Sequence, residues 1–243
     1  MSAHPALSPP GLSACAAIVR RHDPDRFLTA LFAPAARREA LFALYAFNHE
    51  LARAREAVRE PMLAVIRLQW WREVVEGTAK RHEVATPLSA AIAQRWLLPA
   101  DLLGMIDGRE AEAGEAIDDL AAWRAYLAAT AGGVMVAAGR ALGAQGAVLE
   151  RLRMLGTAHG IAGQVRNVPA LARAGRVLVP RDVLAAEGRA LLATVRGPLP
   201  RPVLAAALPA VLARRDLART APPTERGLGD RLAVVVAWGL GRV

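Results

Sequence analysis

The stretch FLTALFAPAARREALFALYAFNHELARAREAV, Phe27 to Val58, decides the fold. After Pro34 no proline or glycine occurs until Pro61, and Leu41, Leu44, Tyr45 and Asn48 recur at helical spacing. The pattern predicts one long helix over 35–60, with Pro61 in the first turn of the next. That next segment, PMLAVIRLQWWREVVEG, aligns Met62, Ile66 and Trp70 on one face and stops at Gly77. The stripe predicts that Trp70 packs in the core and is no platform for nucleic-acid bases.

Helical periodicity continues outward from this pair, and no alternating strand pattern is found. Short helices are expected up to Trp96 and over 97–108. A long helix over 116–142, interrupted at Gly132-Gly133, and another over 147–168, ending near Pro169, follow. A short helix over 181–189, a helix running to Arg219 and a final one from Arg231 complete the chain. The loops between them are too short for interdomain linkers. The expectation is an all-α, single-domain helical bundle of roughly ten helices over 1–243, with 1–18 a flexible N-terminus.

Composition agrees with a packed core: 243 residues, 54% hydrophobic and 22% charged, exclude a disordered or collagen-like chain. Cys15 is the single cysteine, which excludes an intrachain disulfide framework and a cysteine zinc cluster. Net charge is +9, and Lys80 is the only lysine, so thirty of the thirty-one basic residues are arginine. From Arg151 onward fifteen arginines face five acids, whereas 101–120 holds seven acids against Arg109. A basic C-terminal third favours an anionic partner such as a phosphorylated substrate or an anionic membrane surface. Without interleaved exposed aromatics, no nucleic acid is expected. The N-terminus lacks the basic-then-apolar order of a secretory signal, which points to a cytoplasmic protein. The five histidines lack paired metal-ligand spacing, and no Walker loop, GxGxxG, HExxH or GxSxG occurs.

Two stretches carry a specific resemblance, 27–58 and GTAHGIAGQVRNVPALARAGRVLVP over 156–180. Together with Asp107–Glu112 and with Tyr126, Ala129 and Gly133 at Tyr-x-x-Ala-Gly-x-x-Gly spacing, they resemble the squalene/phytoene synthase family from Arg20 to about Arg189; the helices over 190–243 are less family-like. The resemblance implies the isoprenoid (terpenoid) synthase fold and head-to-head condensation of prenyl diphosphates. It further implies two aspartate-rich motifs, whose carboxylates four residues apart share a helix face. Such pairs hold Mg²⁺ against the substrate diphosphate.

This chain departs from that pattern at the decisive positions. In the first motif the outer aspartates fall on Ala52 and Glu56, with Arg53 between; in the second they fall on Asn167 and Leu171. One carboxylate of four survives, so no metal site and no catalytic residue is expected. Arg53, Arg166, Arg173 and Arg176 remain as candidate phosphate ligands, since the guanidinium fork suits phosphate oxygens. Pairing of Arg166, Arg173 and Arg176 with the acids of 101–120 is the alternative. Phe27, Tyr45, Asn48, Glu50, Gln69, Trp71 and Tyr126 read as family scaffold.

AFNHELA and IRLQWW resemble a degenerate branch of the family, the complex I (NADH dehydrogenase) assembly factors of the factor-6 type and their bacterial relatives. That resemblance implies a non-catalytic helper, peripheral on the inner membrane, with respiratory complex I subunits, an anionic membrane surface or a prenyl lipid as partners and no cofactor. The alternative is an active Mg²⁺-dependent prenyl-diphosphate condensing transferase of isoprenoid biosynthesis. A nucleic-acid-binding helical module, recognisable by steeply salt-dependent binding, is a third reading.

Overall fold

Pro34 delimits and Ala35 opens the longest early helix, and the run from Ala40 to Phe47 behind it is buried without a break. A helical stretch apolar on every side must lie inside the molecule, and 40–47 does, whereas the charged ends of the helix reach the surface. The computed structural model describes residues 11–56, 61–113, 119–173, 179–195, 197–220 and 225–243. Among them every regular element is helical.

Helix α1 (Ala14–His22) is capped by Ser13, whose hydroxyl accepts from the Ala16 amide at 3.1 Å. Its Cys15, Ala16 and Val19 are buried and it packs on α3, so 14–18, within the stretch expected from the sequence to be flexible, is helical and in contact with the core. Helix α2 (Pro24–Ala30) starts with proline in its first turn behind Asp23, which accepts from the Arg26 amide. The long α3 (Ala35–Glu56) is followed by α4 (Pro61–Val75), α5 (Ala85–Ala93) and α6 (Pro99–Ala113).

Helix α4 presents the opposite face from the one expected. Ala64, Leu68, Trp71, Val74 and Val75 are buried, whereas Met62 and Ile66 are 66% and 57% exposed and Trp70 is only half-buried. The sequence holds two apolar stripes on this helix, and the one bearing Trp71 wins because its ring wedges edge-on against Phe47 of α3, 5.4 Å between centroids.

Helices α7 (Leu120–Leu127) and α8 (Gly133–Ala141) join through a π-helical turn, Ala128–Gly132, into one helical path. The expected break at Gly132-Gly133 is thus a change of helical pitch. By length and composition 120–141 would suffice to cross a bilayer; here its contacts with α3, α6 and α9 account for that apolarity. Helix α9 (Ala147–Arg173) runs through Pro169, one turn beyond the expected end. Helices α10 (Arg181–Thr194), α11 (Leu204–Ala207), α12 (Pro209–Ala218) and α13 (Leu228–Leu240) follow. The core is formed by α3, α8 and α9, with α11 fully buried beside them.

Small residues let the central path approach its neighbours. A Cβ on Gly156 would stand 2.6 Å from the Ala131 carbonyl oxygen, and one on Gly160 2.6 Å from the Ala131 Cβ. On the other side, a Cβ on Gly108 of α6 would meet the Ala129 Cβ at 2.8 Å. The π-turn is therefore clamped between α6 and α9, and its Thr130 and Ala131 face the cavity described next.

Candidate functional site

A cavity of about 960 Å³ opens between α2, the π-turn, α9 and α12. Its apolar lining includes Phe27, Leu28, Leu127, Leu171 and Leu212. Phe27 is held by stacking on Phe42, 5.5 Å between ring centroids. The charged lining sets six arginines, Arg20, Arg26, Arg109, Arg166, Arg226 and Arg231, against four acids, Asp23, Asp25, Asp216 and Glu225.

One end of the cavity is an ionic cluster. Arg226 reaches Asp25 of α2 with its Nε and Nη2 at 3.0 and 2.8 Å, and Asp216 of α12 at 2.6 and 2.7 Å. Arg166 of α9 adds a contact to Asp25 at 3.2 Å. Asp230 of α13 accepts from Arg215 at 2.5 Å and from Arg219 at 2.7 Å. Burial alone would raise the Asp25 carboxyl, but the hydrogen bonds and charge of Arg226 outweigh it and hold the group below its ordinary range. The bonds from Arg219 bring Asp230 down to about 2 against its burial. Asp25 and Asp230 are thus held as carboxylates, and the oxygens of all three acids are spent on arginine.

The rest of the wall is positioned more locally. Arg26 donates to Asp23 at 2.6 Å and lies over the Tyr45 ring at 5.7 Å. Tyr45 is buried, which pushes its hydroxyl pKa up. Arg109 donates to the Tyr126 hydroxyl at 3.0 Å, and Trp123 donates to Gln164 at 2.8 Å. Burial, with Arg26 nearby, lowers His159 to about 4, so its imidazole is neutral at physiological pH, and its buried Nδ1 has no hydrogen-bond partner among the described residues.

The structure brings Phe27, Asn48, Tyr126, Arg166, Asn167 and Leu171 to this one cavity. It does not bring Ala52, Glu50 or Arg53: Arg53 is exposed and 3.8 Å from Glu50. Glu56 lies in the last turn of α3, and its side chain is outside the described residues, as is Arg176. Arg173 is exposed, donating to the Pro169 carbonyl at 3.2 Å. Gln69 is exposed and Trp71 buried, neither at the cavity. The expected alternative for the arginines also fails for Arg166, which pairs with Asp25 and Asp216. The acids of 101–120 find Arg72, at 2.7 Å from Asp107 and 2.6 Å from Glu110, and Arg140, at 2.8 Å from Asp101.

Sequence reasoning missed Asp25, Asp216 and Arg226. The available signal was the scarcity of acids in the arginine-rich third: Asp216 and Asp230 are each surrounded in sequence by arginines, as buried acids require. As a Mg²⁺ site the donor set does not fit. Among the described residues no three His, Cys, Asp or Glu side chains cluster to hold a metal, and a guanidinium stands between Asp25 and Asp216.

The sequence profile of the squalene/phytoene synthase family matches residues 19–241, and the chain belongs to that family. Curated relatives include the NADH dehydrogenase (ubiquinone) complex I assembly factor 6 of Homo sapiens, 27% identical over 180 residues, covering 72% of this chain and 54% of the relative. The Mus musculus protein of the same name is 28% identical over 193 residues, covering 75% and 58%. The chain thus spans little more than half the length of the curated relatives it matches. Among solved structures, a ligand-bound dehydrosqualene synthase superposes with TM-score 0.69 at 13% identity, over 93% of this chain and 94% of its own. Squalene synthase HpnC from Alicyclobacillus acidocaldarius superposes with TM-score 0.61 at 18% identity, over 93% and 92%. The isoprenoid-synthase fold expected from the sequence is the fold observed.

Proposed function

We propose that this family member is a non-catalytic helper of the complex I assembly type, whose cavity holds an amphiphile with an anionic head and condenses nothing. The observation that carries the reading is the state of the cavity's charges. Ala52, Asn167 and Leu171 stand where the family places metal carboxylates, and the cavity carboxylates Asp25 and Asp216 are neutralised by Arg226 and Arg166. Ionisation of an allylic diphosphate needs a cation bridging the leaving group, and paired aspartates are how this fold supplies it. A cavity that sets an excess of arginine over acids beside apolar side chains such as Phe27, Leu127 and Leu212 suits a ligand with a phosphate or carboxylate head and a hydrocarbon tail. The similarity to assembly factors supports the assembly role, and a membrane-borne complex is consistent with a lipid-like ligand.

The test is Mg²⁺-dependent turnover of farnesyl and geranylgeranyl diphosphate by the purified chain, read as diphosphate release. No release above a heat-killed control is expected from folded protein; release would establish the transferase reading instead. Affinity capture of tagged chain from its own source, with complex I subunits recovered, is the expected outcome for the assembly role.

A further inference from the structure

Helix α13 turns an unusually apolar face outward. Asp230, Val234, Ala237 and Trp238 point to the body, with Trp238 against Phe32 at 5.4 Å between ring centroids. On the opposite face Leu228, Leu232, Val235, Val236 and Leu240 are all exposed, Leu228 at 73% and Leu240 at 61%. From Leu228 to Val243 every exposed charged residue is an arginine. Arg231 is exposed in the first turn of the helix, Arg242 is exposed just past its C-cap, and Arg201 lies over the Trp238 ring at 4.8 Å. The helix's one acid, Asp230, is buried and bonded to Arg215 and Arg219.

We propose that α13 is a docking element for an anionic lipid bilayer, its outward stripe entering the headgroup boundary and its flanking arginines meeting lipid phosphates. An apolar stripe bordered only by cations is the pattern of a helix that lies in the plane of an anionic interface. The exposed stripe of α4, Met62, Leu63, Val65 and Ile66, is flanked by both signs, with Arg67 exposed beside it and Glu73 continuing its face toward Lys80. Its helix pairs with the acidic side of α6, where the Asp107 and Glu110 side chains stay about half exposed. Position adds a second argument. Arg231 and the exposed Leu31 both line the cavity, so the cavity mouth adjoins the α13 face. A seated α13 sets that mouth at the lipid surface, where an amphiphile could pass between the two; this consequence rests on the ligand reading above, whereas docking itself does not.

The test is flotation of the full chain with phosphatidylcholine vesicles, plain or carrying about one-quarter phosphatidylglycerol. Binding to the anionic vesicles alone is expected, weakening as salt rises from about 0.1 to about 0.5 M. Leu232→Ser with Val236→Ser, and separately Arg231→Glu with Arg242→Glu, should each weaken binding by on the order of tenfold or more. All four side chains are exposed, and unchanged circular dichroism and melting would show that both variants fold. Arg67→Glu with Arg81→Glu makes the same change in net charge on exposed sites elsewhere and should retain binding. The proposal is overturned if wild type ignores anionic vesicles, or if the Arg67/Arg81 pair loses binding as fully as the Arg231/Arg242 pair. It is also overturned if the stripe proves to be a dimer interface, with wild type dimeric in sedimentation and the Leu232/Val236 variant monomeric. Diphosphate release bears on none of these outcomes, so failure here and failure of the non-catalytic reading are separable.

Discussion

Arg226 is one residue on which three segments depend: α2 through Asp25, α12 through Asp216, and its own segment leading into α13. Its side chain is 8% exposed and that of Asp216 is 2% exposed. Removing one partner from such a cluster strands the others in a poorly hydrated setting. Arg226→Ala should therefore cost about 3–5 kcal/mol in urea denaturation, with Arg226→Lys losing less because it keeps the charge without the fork. His159 sets a pH dependence of definite sign. Burial holds its folded pKa at about 4, below the ordinary value of 6.5. The unfolded chain takes up this proton first, so the contribution is complete above about pH 6.5 and is lost as pH falls toward about 4. The loss amounts to on the order of 3 kcal/mol across that window. His49, lowered by burial and by the stacked His22, works in the same direction. Denaturation at pH 7 and pH 4.5 should therefore show a smaller drop in His159→Phe than in wild type. An equal drop in both would remove His159 as a cause.

At the scale of elements, the contact between the π-turn and α9 is where the fold is least forgiving. Gly156→Ala forces a methyl onto the Ala131 carbonyl and the Met135 Cβ, and should lower stability by about 1–3 kcal/mol. Gly163, on the same helix, has nothing within 4 Å of where a methyl would stand, so Gly163→Ala should raise stability by about 0.5–1 kcal/mol through helix propensity. Opposite shifts in melting temperature are the expected result; shifts of one sign would refute the clamp. The same elements show what periodicity can deliver. Helix α3 is legible in the sequence because its apolar run has no breaker and no competing stripe. The inward face of α4 is not, because Met62-Ile66-Trp70 and Leu68-Trp71-Val75 are equally apolar, and only packing against Phe47 chooses. Pro169 reads as a helix end, whereas α9 continues one turn past it. Of the cavity, Arg166, Asn167 and Tyr126 are legible as motif positions. The Asp25–Arg226 pair is not, since two residues about two hundred positions apart carry no joint pattern in a single sequence.

For the whole molecule the decisive question is how it holds an anion. A site built on aspartates binds a diphosphate through Mg²⁺, and loses it when the metal is removed. A cavity lined by six arginines against the four acids Asp23, Asp25, Asp216 and Glu225 keeps a net positive charge without a metal, because guanidinium does not titrate in the physiological range. Farnesyl diphosphate should therefore stabilise the folded chain to the same extent in Mg²⁺ and in EDTA. A ligand present at about one hundred times its dissociation constant contributes about 2.7 kcal/mol to the folded state. In a chain of this length that corresponds to a rise in melting temperature of roughly 5–10 °C. The apolar wall predicts a further graded effect: at equal concentration inorganic diphosphate, which has the head without the tail, should shift the melt less, since the tail's burial on Leu127, Leu171 and Leu212 is lost. A shift that appears only with Mg²⁺ would place metal ligands in this cavity and return the chain to the condensing enzymes. A shift equal in both buffers and larger for the prenylated ligand would assign the cavity to an amphiphile held by arginine.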